Sequence, residues 1–82
     1  MQRISQNNPV RKSLVKLIHS IEREIGLEEE SVVLLLHLLD SEEKIFKFND
    51  WAKTKIKGDR IQATEAEIVR AAVKISKNIP VN

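Results

Sequence analysis

Ser31-Val32-Val33-Leu34-Leu35-Leu36-His37-Leu38-Leu39 is the stretch whose reading decides the fold. Seven of its last eight residues are apolar, and Glu28, Glu29 and Glu30 precede it. Val32 and Val33 would suit a strand. The absence of alternation and the three helix-forming glutamates predict a helix instead. Those glutamates also place negative charge at the positive end of the helix dipole. A helix of this composition is apolar almost all round. It is therefore expected to be the central helix of the fold, covered on most sides.

Toward the N-terminus, Asn8-Pro9 reads as a helix start, with Asn capping and Pro in the first helical position. Leu14, Leu17, Ile18, Ile21 and Ile25 follow at helical spacing, flanked by Val10 and Val15. Arg11, Lys12, Lys16, Ser20 and Arg23 fall largely on the other side, so this helix is amphipathic. Gly26 stops it. Toward the C-terminus, Asp40-Ser41 breaks the apolar run. Asp40 with Glu43, or Ser41 alone, is placed to cap the next helix. Residues 44–57 admit two readings. Ile45, Phe48, Ala52 and Ile56 form a helical stripe, while Lys44-Ile45-Phe46-Lys47-Phe48 alternates like a short extended piece. Gly58-Asp59 is a turn, and Thr64-Glu65-Ala66-Glu67 matches a capping box. Ile68, Val69, Ala72, Val73 and Ile75 point one way on the last helix, and Glu65, Arg70, Lys74 and Lys77 the other. Asn78 and Pro80 end it.

The expectation is an all-α bundle of four helices, about 9–25, 28–39, 42–57 and 64–78, with a short extended piece near 44–48 as the open alternative. Residues 1–8 read as a flexible tail and 9–82 as one helical domain. A chain of 82 residues buries only roughly 60–65% of its unfolded surface, so a partner chain, a homodimer among others, would help it.

Composition narrows the function classes. The chain has 32% charged and 41% apolar residues, as a globular protein does. It has no cysteine, hence no disulfide frame and no thiolate metal site. The N-terminal residues lack the apolar core of a secretory leader, and Val32–Leu39 is too short to span a bilayer, so a cytoplasmic protein without a membrane partner is expected. The net charge of +2 conceals an alternation. Residues 1–24 carry net +3, 25–43 carry −6 with no basic group, 44–60 carry +4 and 61–82 carry +1.

No catalytic constellation emerges. His19 and His37 lie on different helices without cysteine or paired carboxylates in register, and read as core or interface residues rather than metal ligands. Glu28–Glu30 and Glu42–Glu43 sit at helix starts, where the dipole accounts for them. Two glycines make no phosphate loop, and no serine sits in a nucleophile motif. The expectation is a non-enzymatic protein with no cofactor and no small-molecule substrate. The candidate site is the cluster Lys53, Lys55, Lys57 and Arg60 beside Trp51, able to neutralise phosphates by counterion release. Arg70 extends it, and Arg11, Lys12 and Lys16 form a second basic face. Trp51 itself reads as a core residue.

Leu34 to Asp40, then Lys44 to Lys47, then Phe48-Asn49-Asp50-Trp51-Ala52-Lys53, then Thr64 to Val73 together resemble a helix-turn-helix of the winged-helix regulator kind. The resemblance implies DNA contact through the last helix. Asn49–Val73 also resembles the two helices of a ribbon-helix-helix protein. The interval from Ala52 to Thr64 is longer than the turn of either family, and the last helix opens on Glu65 and Glu67, which phosphates repel. The leading expectation is a small DNA-binding or DNA-associated regulatory dimer. The alternative is a helical interaction or adaptor module that forms oligomers through its apolar central helix.

Overall fold

The computed structural model describes residues 9–81. The expected tail, residues 1–8, and Asn82 lie outside them. Four helices account for most of the chain: α1 Pro9–Ile25, α2 Glu29–Leu38, α3 Glu42–Lys55 and α4 Glu65–Ser76. A two-stranded antiparallel hairpin, β1 Ile56–Lys57 and β2 Arg60–Ile61, joins α3 to α4. The fold is all-α, as the periodicity predicts.

Local chemistry sets most of the helix ends, with α2 the exception, since the Glu28 side chain makes no cap at its start. Pro9 opens α1, and Gly26 closes it at φ +74°, its N–H donating to Glu22 O at 2.8 Å. Only a residue without Cβ takes that conformation freely. Ser41 caps α3, its hydroxyl accepting from the Lys44 N–H at 3.3 Å. Thr64 and Glu67 form the reciprocal capping box of α4. At the other end of α4, Asn78 adopts φ +60°. Its N–H donates to Ile75 O, and the Ile79 N–H donates to Lys74 O at 2.8 Å, the bond pair of a Schellman stop.

The alternating segment 44–48 is helical, not extended. Inside α3, Ile45 and Phe48 fall three residues apart on the buried face, while Phe46 stays 53% exposed. Burial of two large side chains on one helical stripe outweighs the period-two pattern. The extended structure comes later, at 56–61, which shortens the helix expected over 42–57. Gly58, at φ +67°, and Asp59 form the two-residue loop. A positive φ at the first loop position alone is the pattern of a type II′ hairpin turn.

The helices form a ring in which α1 packs on α2 and α3, and α4 packs on the same two. Consecutive α2 and α3 therefore sit across the bundle from each other. The core gathers Leu14, Ile18 and Ile21 of α1, Leu35 and Leu39 at α2, Ile45, Phe48, Trp51 and Ala52 of α3, Ile61 of the hairpin, and Ile68, Ala71, Ala72 and Ile75 of α4. No polar or charged residue is fully buried among the described residues, although Asn49 Oδ1 on α3 lies out of solvent without a hydrogen-bond partner.

The expectation of a centrally covered α2 is overturned. Leu35 is its one fully buried residue, with Leu39 buried just past its end. Val32, Leu36 and Leu38 are half-buried, whereas Val33 is 60% and Leu34 39% exposed. In a ring of four, α2 has a neighbour on two sides and none on its outer side.

Candidate functional site

Two surfaces compete as the functional site: the basic residues singled out from the sequence, and the outer face of α2.

The basic residues do not form one footprint. Lys57 and Arg60 face each other across the hairpin as direct register partners. Partners in an antiparallel pair point to the same side, so two cations lie side by side, which is unfavourable unless an anion answers them. Lys53 lies exposed on the last turn of α3. Lys55 turns away, its ammonium 5.9 Å from the Trp51 ring. It lines a cleft between α3 and α4 together with Glu67, Arg70 and Lys74. The Thr64 N–H and hydroxyl, with smaller help from Lys55 and Arg70, hold the Glu67 carboxyl below its ordinary pKa. A carboxylate thus sits among these cations and offsets them.

Arg11, Lys12 and Lys16 occupy the first turns of α1, beside Val15. The hairpin docks at the opposite end of that helix, where the Ile61 N–H donates to Glu24 Oε2 at 2.6 Å. Twelve residues separate Lys12 from Glu24, roughly 18 Å along the axis. The two basic faces are therefore separate.

Trp51 is a core residue, 9% exposed, its ring 5.8 Å from that of Phe48. Although it lines two surface grooves, its small exposure makes it a core residue before a platform for stacking a base. A groove beside α3, lined by Lys47, Asp50, Thr54, Ile79 and Pro80, brings no nucleophile to a base. The Thr54 hydroxyl is engaged, donating to Trp51 O at 2.6 Å. His19 pairs with Glu22 at 3.4 Å on α1, and His37 is exposed on α2. Among the described residues, no three His, Cys, Asp or Glu side chains come together as a metal-binding group. Nor is any helix among them long and apolar enough to cross a membrane.

The outer face of α2 is the clearest departure from an ordinary monomer surface. Val33 and Leu34 stand out of it, rimmed by Glu29, Glu30 and His37. Periodicity explains the placement. Leu35 points into the core, Val33 lies 200° from it around the helix, and Glu30 and His37 flank Val33. The N-terminus of α2 is fixed from α4. The Glu28 N–H donates to Glu65 Oε2 at 2.9 Å, and the Ser31 hydroxyl and that N–H lower the Glu65 pKa. Glu65 was expected to point outward. It is half-buried and holds α2 against α4. The apolar run made this face legible as an excess of hydrophobic residues, but the sequence alone does not say which of them stay outside.

No protein-family model matches the chain, and no curated protein or solved structure shows significant similarity to it.

Proposed function

We propose that this chain is a protein-interaction module that docks through the outer face of α2. The observation that supports it is the pair Val33 and Leu34, exposed side by side on the most apolar helix of the chain and rimmed by charged residues. Scattered exposed leucines are ordinary. A contiguous apolar centre with a charged rim is the anatomy of an interface. Each Å² of apolar surface removed from water contributes about 25 cal/mol, so a partner covering these side chains is favoured over solvent.

Photo-crosslinking tests the reading. A diazirine side chain at position 34 is expected to form adducts in the cell. The same group at Glu43, exposed on α3, is expected to form none. Absence of adducts at position 34 overturns the docking face.

The paired cations Lys57 and Arg60 favour a second reading, phosphate contact with a nucleic acid. In this reading the hairpin and Lys53 supply the contacts, because α4 leads with Glu65 and Glu67. Arg70, Lys55 and the α1 cations then lie outside the footprint. Anisotropy of a labelled random duplex, at low and at physiological salt, tests it. Lys57→Ala with Arg60→Ala is expected to lower the salt slope by about two. A wild-type chain that leaves the duplex free at low salt rules the reading out.

A further inference from the structure

Two adjoining grooves follow the seam between α3 and α4. Trp51, Lys55 and Val81 line both, which places the grooves side by side. The larger has a volume of about 560 Å³, within the roughly 300–1,000 Å³ of small-molecule sites. Its apolar walls are Trp51 of α3, Ile75 of α4 and the segment Ile79-Pro80-Val81 that follows α4. From Lys47 to Lys55 it follows α3 for roughly 12 Å. The smaller groove supplies charge. Lys55, Arg70 and Lys74 line it and make no ion pair among the described residues, whereas Lys47 pairs with Glu43 at 3.4 Å. Glu67 is the carboxylate among them. Its Oε1 already accepts the Thr64 N–H at 2.9 Å and the Thr64 hydroxyl at 3.2 Å, and it offsets one charge of three. A surplus of positive charge therefore stands directly beside an apolar groove.

We propose that this seam binds a small amphipathic anion, its apolar body in the larger groove against Trp51 and Ile79 and its carboxylate or phosphate head at Lys55 and Arg70. The site shares no residue with the outer face of α2 and stands or falls apart from it. Lys55 lines both grooves, so the head lies at their junction. Charge decides the sign of the ligand. A cationic head would meet Asp50 in the larger groove but a majority of like charges in the smaller one. Size and backbone decide its kind. An extended peptide needs an open backbone edge to pair with, and Pro80 on the wall has no N–H to give it. A medium-chain or aryl acid needs only the apolar floor and the cations.

The test is a titration of the intact chain with octanoate, followed through the fluorescence of Trp51. That residue is the only tryptophan of the chain and lines both grooves. Saturable binding is expected with a Kd of about 100 μM, in the range open to so small a ligand. Octyl phosphate is expected to bind at least as well, and 1-octanol and octylammonium about tenfold more weakly. Lys55→Gln with Arg70→Gln is expected to bring octanoate down to the level of octanol. Ile79→Ser is expected to weaken octanoate and octanol alike. Lys12→Gln with Lys16→Gln, which removes as much charge outside both grooves, is expected to change nothing. An unchanged circular dichroism spectrum shows each variant to be folded. No saturable change up to about 5 mM octanoate overturns the site. Octanol or octylammonium binding as tightly as octanoate overturns the anionic head. An octanoate affinity unmoved by Lys55→Gln with Arg70→Gln overturns its placement.

Discussion

Leu34 and Leu35 are consecutive and chemically identical, yet α2 gives them opposite surroundings. Leu35 is fully buried, and Leu34 keeps 39% of its surface in water. Leu35→Ala empties a closed space lined by the core. Large-to-small changes of this kind cost about 3 kcal/mol, from the lost transfer free energy and the cavity left behind. An 82-residue domain has roughly 4–12 kcal/mol in all, so this single change removes a large share. At about 4–8 °C per kcal/mol, the melting temperature falls by roughly 12–24 °C. Leu34→Ala opens no closed cavity and removes only partly buried methyl groups, so its cost in a dilute chain is about 1 kcal/mol. Its effect appears with concentration. If the docking face closes on a second copy, association stabilises the folded state by mass action and the wild-type midpoint rises with protein concentration. Leu34→Ala is expected to flatten that rise, whereas Leu35→Ala lowers the midpoint at every concentration. Thermal unfolding followed by circular dichroism at two concentrations separates these behaviours. Equal losses for both variants in dilute solution would refute the orientation of α2 described above. An undiminished concentration dependence in Leu34→Ala would refute self-association through this face.

Acid should loosen the bundle at its helix starts. A Lys44 hydrogen bond lowers the Asp40 pKa, Ser31 and the Glu28 N–H lower that of Glu65, and Thr64 lowers that of Glu67. Depressed carboxylates contribute stability that is complete above their ordinary values of 3.8 and 4.5 and is lost as pH falls through the folded values. A melting temperature flat from pH 7 to about pH 5 and falling below is expected, with the fall reduced in Glu65→Gln. Gly26→Ala meets no atom within 4 Å, so its cost is conformational alone, about 1–2 kcal/mol at φ +74° by urea denaturation. Gly26→Asn should recover part of it, because Asn tolerates the left-handed region. Thr64→Ala removes the hydroxyl half of the capping box and should cost about 0.5–2 kcal/mol in the same assay.

The elements legible in the sequence are those set by local chemistry. Pro9, Gly26, Ser41, Gly58-Asp59 and the Thr64–Glu67 box each act within a few residues, and the breaks and turns fall at or beside them. Residues 44–48 were ambiguous because both periods fit so short a run. The decision came from distant partners, as Ile45 and Phe48 gain the core only if both lie on one helical stripe. The hairpin was hidden for a related reason. Ile56 continues the stripe of α3 by spacing, but Ile61 turns inward on the returning strand, and the Glu24 carboxylate accepts its N–H. The basic cluster is contiguous in sequence and divided in space, because α3 ends at Lys55, which lines the cleft with Glu67, while Lys57 belongs to the strand that follows.

The outer face of α2 follows from counting neighbours. In a ring of four helices each one touches two others, so at most about half its circumference meets the core. The spacing of α1 and α4 obeys that limit, with their buried residues on one stripe and charges elsewhere. That of α2 does not. Its apolar residues continue past the half that Leu35 and Leu39 bury, through Leu34 to Val33. No fifth helix is present among the described residues to cover them. The surplus hydrophobicity of Val32–Leu39 finds no use within the four-helix ring, and that surplus is the physical argument for a partner over Val33 and Leu34.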